Sequence, residues 1–376
     1  MRYFIIAGEP SGDLHGSNLL RNLLTADPDA DISCWGGDMM KEAGGKLLKH
    51  YRETAIMGVW EVLIKIRKVK ANFAECRSQI DAIKPDVVIL IDYPAFNLRI
   101  AKYVKRLGIR VFYYISPKFW AWNEGRVEKI KRYVDRLYII FPFEKAFYRK
   151  HGYDAIYLGN PLIDQVGSWR REAGDRKTLM NSLGLGEKPV IALLAGSRLQ
   201  EVRKVLPEMV SVANSLPDYQ FVVAGMEHLP ENIYRDITGP LPVTIIYRKT
   251  YDLLAVAEAA LVTSGTATLE AALFDVPQIV CYKTSALTYH MVKVVIKVRF
   301  ISLVNLIMDR EVVRELIQTD LNQVTLFREL QDIIRTGYKH DTIRADYKQL
   351  RMILGDTGAS ARIASDMVDN LKSSGN

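Results

Sequence analysis

The strongest constraint on this chain is a series of short, uninterrupted apolar runs. RYFIIA, DVVILI, VIALLA and QFVVAG recur along it between segments of helical pattern. A strand with one face in water alternates apolar and polar residues, whereas a strand apolar at nearly every position is buried on both faces. Such runs, separated by helices, predict parallel sheets with crossover connections. The expected strands of the first half are Arg2–Ala7, Ile32–Trp35, Asp86–Ile91, Arg110–Ile115 and Arg136–Phe141. Those of the second half are Val190–Ala195, Gln220–Ala224, Val243–Tyr247, Ala260–Thr263 and Gln278–Cys281. At 376 residues the chain is long for one core, so two domains are expected. The break falls near Gly159–Pro161, ahead of a charged stretch reaching residue 188, which sets the boundary near 165. The expected class is α/β: two doubly wound, Rossmann-like domains facing a cleft, with ligands at the carboxyl ends of the strands.

Composition narrows the partners. Half of the chain is hydrophobic (49%) and a quarter is charged (25%), which is globular rather than disordered. Lys and Arg (51) outnumber Asp and Glu (43), giving a net charge of +8. That balance suits an anionic partner, though a diffuse solvated surplus has the same arithmetic. No nucleic-acid-binding pattern occurs, so none is expected. Cys34, Cys76 and Cys281 lie far apart without a CxxC, as reduced thiols of a cytosolic protein would. The start reads as a strand rather than a signal peptide, and no run reaches the roughly 20 apolar residues that span a bilayer.

Several strand ends carry polar residues suited to chemistry. After Val190–Ala195 come Gly196, Ser197 and Arg198, then a helix pattern containing Glu201. Glycine admits a ligand to the backbone, a helix start attracts anions, and Arg198 adds a forked cation for a diphosphate. Glu201 can hold Arg198 or Arg203 in place. An ordinary strand–turn–helix with a surface Arg fits the same residues. In LVTSGTATLEAAL, Ser264, Gly265, Thr266 and Thr268 open a second helix, and Glu270 can accept hydrogen bonds from a ribose diol. The spacing does not match a capping box. In VVILIDYPAFN, Asp92 ends a strand, with Tyr93, Pro94 and Asn97 behind it. There a carboxylate can serve as a general base, or simply form a turn. The HxE, HExxH and GxSxG patterns are absent, so no zinc or serine-hydrolase chemistry is expected. Two basic, apolar stretches read either as membrane-facing or as core-facing helices with a basic outer face. One holds Trp60, Leu63, Ile64, Lys65, Arg67, Lys68 and Lys70; the other is TYHMVKVVIKVRFISLVNL.

AGEPSGDLHG, MGVWEVL, KPDVVILIDYPAFN, YYISPKFWAW, FPFEKAFY, GNPL, LLAGSRLQEV, SGTATLEAAL and ISLVNLI occur in this order. Together they resemble the lipid-A-disaccharide synthase family of membrane-associated, two-domain GT-B glycosyltransferases. The resemblance implies an inverting transfer from UDP-2,3-diacylglucosamine to the 6-hydroxyl of 2,3-diacylglucosamine 1-phosphate. The products would be a β-1,6 disaccharide and UDP. It implies a nucleotide-binding domain at 166–355 and an acceptor domain at 1–165, to which the final helix, about 356–376, returns. It assigns Gly196, Ser197, Arg198, Glu201, Ser264, Gly265, Thr266, Thr268, Glu270 and Asn305 to the donor site, and Asp92 to catalysis. The family often has DAPDFN where this chain reads DYPAFN, so a second acid is missing beside Asp92. With the phosphates placed in the second domain, Gly8, Glu9, Ser11, Gly12 and Asp13 become an acceptor-side loop, joined by Asn97. This explains acids where a phosphate loop would want a lysine. No metal or other cofactor is implied. The expected setting is cytoplasmic, peripheral on the anionic inner face of the cytoplasmic membrane. The rivals are a UDP-sugar 2-epimerase, the lipid-linked muramyl transferase of peptidoglycan synthesis and a non-catalytic UDP-lipid-binding protein.

Overall fold

The computed structural model describes residues 1–54, 62–122, 124–285, 289 and 298–373, and for 54, 62–66, 121 and 122 the backbone only. The chain forms two compact units. The first comprises Met1–Pro161 with Asp356–Asn376, and the second Leu162–Gly355.

Among the described residues the first unit is built on seven strands: β1 (Arg2–Ala7), β2 (Asp31–Gly36), β3 (Lys46–His50), β4 (Val87–Ile91), β5 (Arg110–Tyr114), β6 (Arg136–Ile139) and β7 (Ile156–Tyr157). All pair in parallel, in the order β3-β2-β1-β4-β5-β6-β7. Order reverses beside β1, which is the switch point where a doubly wound sheet opens to ligands. Successive residues of β1 face opposite sides. Tyr3, Ile5 and Ala7 enter one core and Phe4 and Ile6 the other. Burying each such large side chain contributes about 1.5–3 kcal/mol. The helix Ala359–Ser373 completes the first of these cores with Ile363, Ala364, Met367 and Val368, and packs on the helix Pro10–Ala26.

The second unit repeats the plan with β8 (Val190–Leu194), β9 (Gln220–Gly225), β10 (Val243–Tyr247), β11 (Ala257–Thr263), β12 (Gln278–Tyr282) and β13 (Glu315–Ile317). These too are parallel, in the order β10-β9-β8-β11-β12-β13. Both sheets thus have the expected doubly wound class.

Three strands escaped the sequence reading: β3, β7 and β13. β3 (KLLKH) and β13 (ELI) carry charge at a sheet edge, and β7 has two residues, so none shows a continuous apolar run. The strand expected to reach Phe141 stops at Ile139, and the helix Pro142–Lys150 starts on a proline just beyond. The glycine-rich opening stretch is not an extended loop. It is helical from Pro10, so Gly12 and Gly16 are buried within a helix against the sheet.

Candidate active site

In the first unit, parallel register sets Ala7 beside Ile91 and Ile91 beside Tyr114. The residues that follow, Gly8 and Asp92, therefore emerge together. Asp92 and Tyr93 both adopt left-handed backbone, at φ +44° and +46°. Two such non-glycine residues in a row store strain, which surrounding structure must hold. Here the Asp92 N–H donates to the Tyr114 carbonyl at 3.1 Å. The Asp92 carbonyl accepts from Asn97 Nδ2 at 2.8 Å and from the Tyr113 hydroxyl. Pro94 then starts the helix Pro94–Arg106.

Glu9, Ser11, Asp92 and Tyr93, with Gly8 and Gly12, line one small depression at this end of the sheet. Burial raises the Asp92 carboxyl from 3.8 to about 6, and the Glu9 charge adds to the rise. Lys118, after β5, and the Tyr93 N–H oppose it. A carboxylate poised near neutrality, partly shielded and at the mouth of a doubly wound sheet, is suited to taking a proton from a hydroxyl. A second buried acid, Glu144, is raised to about 7 by burial. It accepts from the Phe141 N–H and Trp120 Nε1, each at 3.1 Å, and so closes the start of its helix.

Two residues expected on the acceptor side do other work. Asp13 is buried, and its carboxylate accepts N–H bonds from Gly37 (2.7 Å), Met40 (3.1 Å) and Met39 (3.2 Å). It thus caps the helix Asp38–Glu42 rather than meeting a sugar. Asn97 is fully buried beneath Asp92 and bonds the Ile91 and Asp92 carbonyls. It shapes the turn instead of touching a ligand. Glu9 and Ser11 are exposed at the depression.

In the second unit, register places the ends of β8 and β11 side by side, Leu194 against Val262. The Gly196–Arg198 and Ser264–Glu270 segments are therefore neighbours. Gly196 has φ +103°, and a Cβ there would lie 2.5 Å from the Glu201 carboxylate, so only glycine fits. Glu201 Oε2 accepts the Ser197 and Arg198 N–H groups at 3.1 and 3.2 Å, and Oε1 lies 3.6 Å from the Arg198 guanidinium. The loop amides expected for phosphate are thus occupied by Glu201. What projects outward is the Arg198 side chain, 81% exposed. His228 Nε2 lies 2.8 Å from the Ser197 carbonyl and braces the loop from β9.

The second segment divides in the same way. The Ser264 hydroxyl donates to the Ile301 carbonyl at 2.7 Å. The buried Thr268 hydroxyl donates to the Gly265 carbonyl at 2.8 Å and accepts from the Leu303 N–H at 3.3 Å. Both hydroxyls serve the protein rather than a phosphate. Gly265 and Thr266 stand at the start of the helix Thr266–Leu273. Burial raises the Glu270 carboxyl, while a 3.1 Å bond from the Tyr251 hydroxyl opposes the rise. Asn305 is buried without exposure. Its Oδ1 accepts from the Val312 and Val313 N–H groups at 2.8 and 3.0 Å, and its Nδ2 donates to the Val313 carbonyl and to Glu315 at 2.8 and 2.9 Å. That is the whole capacity of a carboxamide, so Asn305 binds no donor directly.

Of the membrane-facing residues expected, Trp60 lies outside the described residues, as do residues 290–297 of the second stretch and the side chains of Leu63, Ile64 and Lys65. Arg67, Lys68 and Lys70 are exposed on the helix Val62–Ile83. Among the described residues no helix is long and apolar enough to cross a membrane. Tyr113, Lys118, His228 and Glu315 had no signal in the sequence. Each matters through a neighbour supplied by another part of its unit.

Comparison with known proteins gives one family. The model described as lipid-A-disaccharide synthetase matches residues 3–362. The lipid-A-disaccharide synthase of Myxococcus xanthus is 38% identical over 382 residues, covering 98% of this chain and 97% of that protein. That of Syntrophus aciditrophicus is 39% identical over 368 residues, covering 96% and 95%. Among solved structures, a UDP-GlcNAc 2-epimerase from Neisseria meningitidis bound to UDP-GlcNAc superposes with a TM-score of 0.72 at 12% identity, covering 98% of this chain and 100% of that one. The glycotransferase of kitacinnamycin superposes with a TM-score of 0.64 at 13% identity, covering 98% of each chain. These structural likenesses establish the shared fold.

Proposed function

This chain belongs to the lipid-A-disaccharide synthetase family and is a glycosyltransferase of lipid A disaccharide formation, and we propose that Asp92 is the base of its reaction. The substrates are a sugar nucleotide and a lipid-bearing sugar. In the finer reading the donor is UDP-2,3-diacylglucosamine and the acceptor is 2,3-diacylglucosamine 1-phosphate. Ionised Asp92 takes the proton from the acceptor 6-hydroxyl. The hydroxyl oxygen bonds the donor's anomeric carbon on the face opposite the diphosphate. The anomeric carbon–oxygen bond breaks, and its electron pair leaves with UDP, inverting the centre to a β-1,6 linkage.

The single observation that carries this assignment is Asp92 itself: a strained, strand-end carboxylate raised to about 6 and lining a depression with Glu9 and Ser11. On the donor side, outward-pointing Arg198 and the start of the helix Thr266–Leu273 receive the growing negative charge of UDP. Glu270 accepts from the ribose diol. Nothing in this scheme calls on a resident metal or cofactor. The exposed Arg67, Lys68 and Lys70 hold the protein against an anionic membrane face, from which both acylated substrates are drawn. That face is the inner, cytoplasmic one.

The test is turnover with synthetic diacylated donor and acceptor, following UDP release. The expected outcome is disaccharide formation that requires both substrates and is lost in Asp92→Ala, with UDP binding retained. Turnover of a UDP-sugar alone would support an epimerase instead. Donor binding without product in the unmodified protein would leave only a binding protein.

A further inference from the structure

We infer that Glu315 is a positioning residue for the donor segment, acting through Ile301–Leu303. Glu315 opens β13, the edge strand. Its Oε1 accepts from the N–H groups of Ile301 (3.2 Å) and Ser302 (2.9 Å) and from Asn305 Nδ2 (2.9 Å). Its Oε2 accepts from Ile301 at 3.0 Å. A carboxylate that gathers several N–H donors fixes their geometry more firmly than a neutral acceptor does.

The segment so held is bonded on its other side to the donor motif. The Ile301 carbonyl receives the Ser264 hydroxyl, and the Leu303 N–H reaches Thr268 Oγ1. Ile301–Leu303 is therefore a wedge between Glu315 and the turn that begins the helix Thr266–Leu273. Asn305 locks the arrangement from beneath. It ties Glu315 to Val312 and Val313, and the Ser302 hydroxyl caps the Asn305 N–H at 3.2 Å. Two hydroxyls of the motif are spent on this wedge. The position of Gly265, Thr266 and Glu270 then depends on where Glu315 holds Ile301. Asn305 influences the donor by this route, without contacting it.

The inference rests on the donor reading above. It is tested in the full-length protein with Glu315→Ala and Glu315→Gln. Calorimetry measures UDP binding, kinetics give the acceptor KM, and amide hydrogen exchange maps the loosened segments. Glu315→Ala is expected to weaken UDP at least about tenfold, the loss of more than one net hydrogen bond. The acceptor KM should stay unchanged, and exchange should rise at 264–270 and 301–305 only. Glu315→Gln keeps the Oε1 position as an acceptor but loses the charge and the Oε2 acceptor for Ile301, and should fall between the parent and Glu315→Ala. Unchanged UDP affinity in Glu315→Ala overturns the inference, as does exchange rising throughout the second unit. A Gln variant as impaired as Ala also overturns it. Should Glu315→Ala fail to fold, Glu315→Asp withdraws the acceptor by one methylene and is read in the same way. A parent protein that binds no UDP overturns the donor reading, and the inference with it, before any variant is made.

Discussion

At the scale of the residue, burial and a like charge make Asp92 useful at a cost to folding. A carboxyl raised from 3.8 to about 6 is harder to ionise in the folded chain than in the unfolded one. The cost is absent at low pH, grows as pH rises from 3.8 to about 6, and is full above that. It amounts to at most ~3 kcal/mol. Asp92→Asn should therefore lower kcat about 1,000-fold while raising the melting temperature at pH 7. The gain in melting temperature should shrink toward zero near pH 4. Melts at both pH values alongside turnover check the pairing. Removing the Glu9 charge acts on the same group. In Glu9→Gln the acid limb of the kcat/KM profile should move to lower pH, because Asp92 ionises more readily. A limb that stays in place would remove Glu9 from this role.

At the scale of the element, both candidate sites stand on turns that accept almost no added volume. A Cβ at Gly8 would sit 2.4 Å from the Tyr93 ring, which adjoins Asp92 in left-handed backbone. Gly8→Ala should destabilise the first unit by about 1–3 kcal/mol, the usual cost of overpacking, and reduce kcat as well. Adding Tyr93→Ala should restore most of the stability by clearing the ring. Independent, additive effects in that double-mutant cycle would show the two residues are uncoupled. In the second unit, Glu201 occupies the loop amides and leaves Arg198 projecting. Arg198→Ala should raise the UDP dissociation constant about 10–100-fold, the range for a charged hydrogen bond. Arg198→Lys should recover only part, since an ammonium lacks the guanidinium fork. Equal affinity in the Ala variant would assign the diphosphate to other groups.

At the scale of the whole molecule, the proposed membrane attachment would be a sum of small terms. Each exposed cation near an anionic surface contributes about 1 kcal/mol. Reversing Arg67, Lys68 and Lys70 to Glu should therefore cut flotation with anionic vesicles by at least about 100-fold. UDP binding should remain as in the parent. Flotation unaffected by the reversal would assign the contact to another surface.

The sequence by itself determined the class of fold and the places where chemistry belongs. Both follow from local facts: a short run such as VVILI between helical patterns fits a strand buried on both faces, and a doubly wound sheet exposes its strand ends. Asp92, Gly196 and Arg198 were legible because each follows such a run directly. Tertiary structure alone decided which polar groups in those segments are left for a ligand. Asp13, Asn97, Thr268 and Asn305 look like ligand groups in the sequence, yet each is consumed by backbone amides or carbonyls, those of Asp13 and Thr268 brought from elsewhere in the chain. Glu315 and Tyr113 were invisible for the converse reason, since their partners lie 14 and 21 residues away. A buried polar group must be satisfied, and the partner that satisfies it is set by strand register and packing, which composition and spacing do not encode.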